Sequence, residues 1–129
     1  MKVAYVFNTS GRTATYKLGK MILPQLENGT LGAEVSAMLF FDDNNFILRK
    51  GDPIGERLAK VALEKKILLV SCSQCSMERG LSQGNCGGED CCTLNKPEAV
   101  NCIEGVACGC WADFFAKCEA DRVDHIITL

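Results

Sequence analysis

The amino-acid sequence predicts an α/β fold, a doubly wound open sheet of about five mostly parallel strands with helices on both faces. Short apolar runs typical of strands alternate with segments whose apolar residues recur at helical spacing, and the connections are short. The chain has 129 residues, of which 47% are apolar and 23% charged, as in a globular protein. This length predicts a single domain over residues 1–129, with a cysteine-rich excursion at about 82–102.

The first 70 residues alternate between strand and helix patterns. Lys2–Phe7 is nearly continuously apolar, as expected for a strand covered on both faces. The helical pattern that follows contains Pro24, which should kink the helix or end it early. Asp52 and Pro53 are typical of an N-cap and of the first helical position. The predicted elements are a strand at Lys2–Phe7, a helix at about Thr13–Glu27, a strand at Glu34–Phe41, a helix from Pro53 to about Lys65 and a strand at Ile67–Val70.

The second half continues the alternation around one long irregular stretch. Residues 82–100 are rich in Gly, Cys, Asn and Glu and show no periodicity. Further on, four apolar residues recur at i, i+3, i+4 and i+7, which indicates a helix with a core-facing stripe: Trp111, Phe114, Phe115 and Cys118. The other predicted elements are a short helix from Ser76 to about Leu81, a strand at Ile103–Ala107 and a terminal strand at His125–Leu129.

Charge and hydropathy argue against several function classes. The formal charge is −2, so no basic excess favours nucleic-acid binding. No apolar run approaches the ~20 residues of a membrane helix, and Val3–Phe7 is shorter than the ~7–15 residues of a signal-peptide core. We therefore expect a cytoplasmic protein with no membrane partner. Residues 71–129 carry 4 basic and 9 acidic side chains, a balance that tolerates a cation or an electrophile.

Nine cysteines, all between Cys72 and Cys118, are the unusual feature of the composition. Their number is odd and no export signal precedes them, which argues against a secreted disulfide scaffold. The thiols are then buried filler, metal ligands or redox groups.

Cys72 and Cys75 form a Cys-x-x-Cys motif where a predicted strand gives way to a helix. Ligands in open α/β sheets bind at the carboxyl ends of strands, and a helix N-terminus stabilises a thiolate. In such a motif the second thiol can resolve an intermediate formed on the first. Two other interpretations remain open: small apolar filler at a strand end, and half of a zinc site.

Three segments resemble the DsrE/DsrF-like family of small sulfur-relay proteins. They are the opening Lys2–Phe7, the strand–Cys–helix–Arg-Gly segment Ile67–Gly80, and the ending from Ile103–Val106 through Asp124–Leu129. The resemblance covers most of the chain and is strongest to a branch called SaoD, linked by gene neighbourhood to selenium-using anaerobes. In the family, the cysteine eight residues before a Gly carries sulfur as a persulfide, and Cys72 stands eight residues before Gly80.

The resemblance implies a doubly wound fold, homo- or hetero-oligomers, and a sulfurtransferase that exchanges sulfane sulfur, or selenium, with a protein donor and a protein acceptor. Cys72 would carry the sulfur. Cys75 and the cysteine-rich stretch after Gly84 depart from the family pattern. A neighbouring thiol could discharge the persulfide by forming a Cys72–Cys75 disulfide, which favours a redox-gated relay in which Cys75 modulates Cys72.

A second cluster of six thiols follows within 25 positions: Cys86, Cys91, Cys92, Cys102, Cys108 and Cys110. Converging thiolates suit zinc or an iron–sulfur cluster, although neither zinc-ribbon nor ferredoxin spacing is present. The alternatives are additional redox thiols or disulfides, and incidental structural cysteines. A metal- or iron–sulfur-binding protein on a non-catalytic DsrE-like scaffold is therefore the alternative function.

Three further features have weaker functional interpretations. The Asn8–Thr13 turn is similar to the phosphate loop of flavodoxins, which makes a flavodoxin-like electron carrier a second alternative, although Asn8 stands where that loop usually has a hydroxyl and an N-capped turn is the simpler explanation. His125, the only histidine, is expected to be a hydrogen-bonded structural residue. Asp42–Asn45 is a polar loop that could line the Cys72 pocket or form a solvated turn.

Overall fold

A five-stranded parallel sheet is the central element of the computed structural model, which describes residues 1–9, 12–84 and 96–129. Strand β1 (Lys2–Phe7) leads into helix α1, which is π-helical over Thr13–Ile22 and α-helical over Leu23–Asn28. The remaining elements are β2 (Glu34–Phe40), a 3-10 segment (Asp42–Leu48), α2 (Pro53–Lys65), β3 (Leu68–Cys72), α3 (Ser73–Glu78), β4 (Ser82–Gln83), β5 (Glu98–Ala99), β6 (Val106–Gly109), α4 (Trp111–Asp121) and β7 (His125–Thr128).

The sheet has the strand order β6-β3-β2-β1-β7, and every neighbouring pair is parallel. Parallel neighbours need crossover connections, which the helices supply on both faces. The predicted fold class is therefore confirmed. The carboxyl ends of β2, β3 and β6 meet at one edge of the sheet, where Phe40 lies beside Ser71 and Cys72 beside Gly109.

The core has two layers, one on each face of the sheet. Alternate residues of β1 belong to different layers, with Phe7 on the face covered by α1 and α2, and Val6 on the face covered by α4. Both side chains are fully buried, which explains why β1 reads as a continuous apolar run. Phe114 and Cys118 anchor α4 to its face, so the prediction that Cys118 is a core residue is confirmed.

The other two members of the predicted α4 stripe do not enter the core. Trp111 is 43% exposed and Phe115 is 48% exposed. Their rings stack on each other at a centroid separation of 5.5 Å, and Trp111 also contacts Phe41. Among the described residues α4 is the helix that packs on this face, so its flank stays open to solvent. The prediction that Trp111 is a core residue is wrong.

Several predicted boundaries shift by a few residues. Helix α3 begins at Ser73, directly after β3, rather than at Ser76, because the Cys72 side chain caps its first turn. Strand β6 begins at Val106 rather than Ile103, since Gly105 precedes it in the left-handed region with a φ of 87°. Strands β4 and β5 form an antiparallel pair within the predicted excursion, and residues 85–95 lie outside the described part of the chain.

His125 lies at the start of β7, beside Val3, at the end of the sheet opposite Cys72. It is exposed, as are the other residues of this edge strand. The expectation of a hydrogen-bonded structural histidine is not met, because its side chain is exposed and makes no hydrogen bond to another described residue. Within the described ranges, no helix is both long and apolar enough to cross a membrane.

Candidate functional site

Cys72 ends β3 and caps α3, so strand and helix join without an intervening loop. Its Sγ accepts a hydrogen bond from the backbone N–H of Cys75 at 3.4 Å. The side chain is partly accessible at the sheet edge. This placement agrees with the sequence prediction of a reachable thiol at the carboxyl end of a strand, next to a helix start.

Cys75 lies in the first turn of α3 and is 8% exposed. Its Sγ accepts a hydrogen bond from the backbone N–H of Asp42 at 3.2 Å and lies 4.0 Å from an Oδ1 atom of the same residue. The two thiols therefore differ in access: Cys72 faces the edge, and Cys75 is enclosed between α3 and the 3-10 segment.

The two neighbouring thiols shift each other's pKa in opposite directions. The pKa of Cys75 is lowered to about 7, first because Cys72 donates to its sulfur, and further by the Asp42 N–H and the Arg79 guanidinium, against the opposing effects of burial and the Asp42 carboxylate. The pKa of Cys72 is raised, chiefly because it donates to Cys75 and is partly buried. The resemblance assigns the sulfur-carrying role to Cys72, whereas these contacts favour Cys75 as the first of the two thiols to ionise.

The 3-10 segment is held against β3 by two buried asparagines. Asn45 is fully buried; its amide donates to the carbonyls of Phe40 and Asp42, and its Oδ1 accepts from the Ser71 hydroxyl at 2.6 Å. Asn44 donates to Phe7, Thr9 and Phe41 carbonyls. The solvated-turn interpretation of Asp42–Asn45 is therefore wrong for the two asparagines, whose amides satisfy backbone carbonyls near the ends of β1 and β2, whereas Asp42 and Asp43 are exposed.

Arg79 follows α3 and joins it to the 3-10 segment. Its guanidinium donates to the Cys75 carbonyl at 3.1 Å and to Asp43 Oδ1 at 2.8 Å, and it lies over the ring of Phe46. These contacts place a positive charge near the Cys75 sulfur. The sequence analysis assigned no role to Arg79, and it included Asn45 only as part of the polar loop Asp42–Asn45. The signal that points to Asn45 is its position just after a strand that neighbours the Cys72 strand.

The second thiol cluster is only partly within the described residues. Cys86, Cys91 and Cys92 lie outside them. Cys108 is buried with its Sγ 3.9 Å from the Ser76 hydroxyl, and the Cys102 thiol donates to the Leu81 carbonyl. Burial raises the pKa of Cys102 to about 11, which disfavours the thiolate a metal needs.

Cys110 caps α4, with its backbone N–H bonded to Asp113 at 3.0 Å. Across residues 1–9, 12–84 and 96–129 no three metal-ligating side chains converge. Cys102, Cys108 and Cys110 by themselves do not fit zinc or an iron–sulfur cluster. The six-thiol metal site stays a prediction that depends on residues 86–92.

The first turn gives limited support to an anion site. The backbone N–H groups of Asn8 and Thr9 both donate to the Leu129 carbonyl, at 2.7 and 3.0 Å, so these two donors are occupied. The Thr9 hydroxyl bonds that of Thr13, and Arg12 lies over the Tyr16 ring. Ser10 and Gly11 lie outside the described residues.

A cleft of about 560 Å³ lies away from the thiols, at the amino end of β3. It is bounded by α2 and by Lys117 of α4, and Leu63 and Leu68 are among its apolar lining. Neither Cys72 nor Cys75 lines this cleft, so it is separate from the thiol pair.

Comparisons with known proteins bear on the fold. The sequence matches no described protein family and no curated protein. The structure is similar to the ychN protein from E. coli, with a TM-score of 0.59, 14% identity and coverage of 99% of this chain and 97% of that one. It is also similar to MTH1491, a protein of unknown function from Methanobacterium thermoautotrophicum, with a TM-score of 0.58, 10% identity and coverage of 98% and 97%. At these identities the similarity shows the fold alone.

Proposed function

We propose that the protein is a sulfur-relay protein that carries sulfane sulfur as a persulfide on Cys72, with Cys75 as its proton-accepting and modulating partner. The observation that carries the proposal is the thiol pair at the end of β3: Cys72 is partly accessible, Cys75 is buried, and the Cys75 backbone N–H donates to the Cys72 Sγ at 3.4 Å. Support also comes from the sequence resemblance to the DsrE/DsrF-like family at Cys72 and Gly80. The similarity of the fold to that of the ychN protein agrees with this resemblance.

Sulfur uptake uses both thiols. The Cys75 thiolate accepts the Cys72 proton, and the Cys72 thiolate attacks the outer sulfur of a donor persulfide, R–S–SH. The donor S–S bond breaks, the donor leaves as the thiolate R–S⁻, and Cys72–S–SH is formed. No electrons are gained or lost overall, because one S–S bond replaces another.

Sulfur delivery reverses this exchange. A thiolate of the acceptor protein attacks the outer sulfur, the acceptor gains the persulfide, and the Cys72 thiolate is restored. A competing attack of Cys75 on the inner sulfur would release HS⁻ and leave a Cys72–Cys75 disulfide, which a dithiol reductant must then reopen. Cys75 therefore sets how long the loaded sulfur survives.

The proposal extends to partners and to selenium. Because Cys72 is partly accessible, a second protein can reach it, and we take the donor and acceptor to be proteins that present a cysteine, in the cytoplasm. The resemblance to the SaoD branch suggests that a selenium atom can take the place of the outer sulfur, as Cys72–S–SeH. The same exchange chemistry applies, since only the transferred atom differs.

The test is persulfide formation on reduced, anaerobically handled protein treated with a persulfide donor. Cys72 and Cys75 fall on one tryptic peptide, Ile67–Arg79, so fragmentation between them must assign the added sulfur. We expect a mass gain of one sulfur atom on Cys72, lost in Cys72→Ser. Cys110→Ser is the matched control, because it lies at the same sheet edge and serine is also a good helix N-cap. If Cys72→Ser accepts sulfur as the wild type does, the proposal is wrong.

A further inference from the structure

We propose that Asp42 is a positioning residue for Cys75: its backbone N–H orients the sulfur, and its carboxylate retains the proton there, which slows attack of Cys75 on a loaded Cys72. This inference deepens the proposed function and rests on it for the second of its two readouts. Asp42 belongs to the 3-10 segment and was expected from the sequence only to line the pocket or to be solvated.

The backbone of Asp42 has an unusual conformation. Its φ is 49°, in the left-handed region that non-glycine residues seldom adopt. This conformation accompanies the placement of its N–H 3.2 Å from the Cys75 Sγ. A strained residue that makes a direct contact with a reactive sulfur is a candidate for a functional role.

A buried network keeps Asp42 in place. Asn45 donates to the Asp42 carbonyl at 2.9 Å and is itself fixed by Ser71 of β3. Ser71 directly precedes Cys72 in the chain. The same strand therefore places Cys72 and anchors the segment that contacts Cys75.

The carboxylate of Asp42 acts in the opposite sense from its N–H. Its Oδ1 lies 4.0 Å from the Cys75 Sγ, close enough to accept from the protonated thiol and to repel the thiolate. The other groups that face Cys75 from the described residues are Cys72 from β3 and Arg79 from beyond α3. Arg79 is in turn paired with Asp43.

Loading changes this balance. In a persulfide the hydrogen is on the outer sulfur, so the Cys72 Sγ itself can no longer donate to Cys75, and the contribution that most lowers the Cys75 pKa is lost. The Asp42 carboxylate remains, and it then favours the neutral thiol. A neutral thiol is a poor nucleophile, so the loaded sulfur is protected from discharge.

Asp42→Asn separates the two actions, because asparagine keeps the N–H and tolerates the left-handed conformation but has no charge. The first readout is the pH dependence of Cys75 alkylation by iodoacetamide, followed on the Ile67–Arg79 peptide. We expect the midpoint to move to lower pH by about one unit, as for removal of a charge near 4 Å under partial solvent screening. Asp52→Asn, which keeps a helix cap far from the thiols, should leave the midpoint unchanged.

A second variant tests the anchoring. Ser71→Ala removes the hydrogen bond from Ser71 to Asn45, and Asn45 then holds Asp42 less firmly. The hydrogen bond from the Asp42 N–H to the Cys75 Sγ should weaken as a result, and the alkylation midpoint should move to higher pH. An unchanged or upward midpoint in Asp42→Asn overturns the inference.

The second readout is sulfide release from protein loaded with sulfane sulfur, below the wild-type midpoint. Asp42→Asn should release sulfide about tenfold faster, in proportion to its larger thiolate fraction. Equal release rates would refute the protective role. A wild-type protein that never takes up sulfur would refute the proposed function. The alkylation readout needs no sulfane sulfur, so the pH midpoint of Cys75 alkylation would still test the role of Asp42.

Discussion

The Sγ of Cys72 accepts from the backbone N–H of Cys75 at 3.4 Å, so the first thiol caps the helix that carries the second. Strand β3 and helix α3 are thereby continuous, and neither sulfur depends on a loop for its position. A pair held in this way can exchange a proton and can also form a bond between its sulfurs.

The first prediction concerns oxidation of the pair. We expect diamide to convert the reduced protein to a form with a Cys72–Cys75 disulfide, because Cys72 caps the helical turn that carries Cys75 and one thiol is acidic. Peptide mapping without reductant should find the loss of two hydrogens within Ile67–Arg79. Cys72→Ser and Cys75→Ser should each abolish it, whereas Cys110→Ser should not. Preferential linkage of either thiol to a different cysteine would contradict this.

The second prediction concerns stability against pH. The pKa of Cys75 lies at about 7 in the folded state and at its ordinary 9.0 when unfolded, so the folded state loses this proton first as pH rises. The free energy of unfolding should therefore increase between pH 7 and 9, by on the order of 2 kcal/mol, and the gain is lost as pH falls through 7. Above pH 9 the raised pKa values of Cys72 and Cys102 reverse the trend.

Urea denaturation at several pH values, with reductant present, measures this dependence. The Cys75→Ser variant supplies the control, since it lacks the titrating group and should give a flatter profile between pH 7 and 9. A wild-type profile that falls over this range would show that Cys75 does not ionise first in the folded protein.

The third prediction concerns two helical glycines. A Cβ at Gly55 of α2 would overlap the backbone carbonyl oxygen of Ile47, which cannot move without shifting the 3-10 segment. Gly55→Ala should therefore cost roughly 2–4 kcal/mol, although alanine is normally favoured in a helix by about 1 kcal/mol. Gly19→Ala meets only the end of the Ile54 side chain, at 2.6 Å, and should cost less than about 1 kcal/mol. Thermal unfolding measures the loss of stability in each variant. Equal losses would contradict the close packing of Gly55 against the Ile47 carbonyl.

The fourth prediction compares two adjacent phenylalanines of α4. Phe114 is fully buried against the sheet, and Phe115 is 48% exposed. Phe114→Ala should lower the free energy of unfolding by about 3–5 kcal/mol, whereas Phe115→Ala should change it by less than about 1 kcal/mol. Chemical denaturation of the pair measures both values. A larger loss at Phe115 would mean that the aromatic flank is covered in solution.

The parts of the fold that could be predicted from the sequence are those fixed by local signals. The Asp52-Pro53 pair predicts the start of α2, and Asp52 indeed accepts from the backbone N–H of Ile54 at 2.9 Å and Gly55 at 3.0 Å. The apolar run at Lys2–Phe7 predicts β1 to the residue. The start of α2 is decided by hydrogen bonds between residues close in the chain, and β1 is decided by the burial of both of its faces.

The parts that could not be predicted depend on distant residues. Asn45 reads as a polar turn residue, and its burial is decided by Ser71, 26 positions away. Trp111 has the spacing of a core residue, and its exposure is decided by how far α4 covers the sheet. The pKa of Cys75 is lowered chiefly by Cys72, which belongs to the motif, but the further effects of the Asp42 N–H and carboxylate come from 33 positions away and have no signal in a Cys-x-x-Cys pattern.

Trp111 is the only tryptophan of the chain, and its ring lies 5.2 Å from Phe41 and 5.5 Å from Phe115, with 43% of the residue exposed. It begins α4 just after β6, whose end pairs with Cys72. Its fluorescence is therefore a label-free optical reporter at the reactive edge. Quenching or a shift in emission wavelength can follow a binding event there in real time, without a dye that would consume a cysteine.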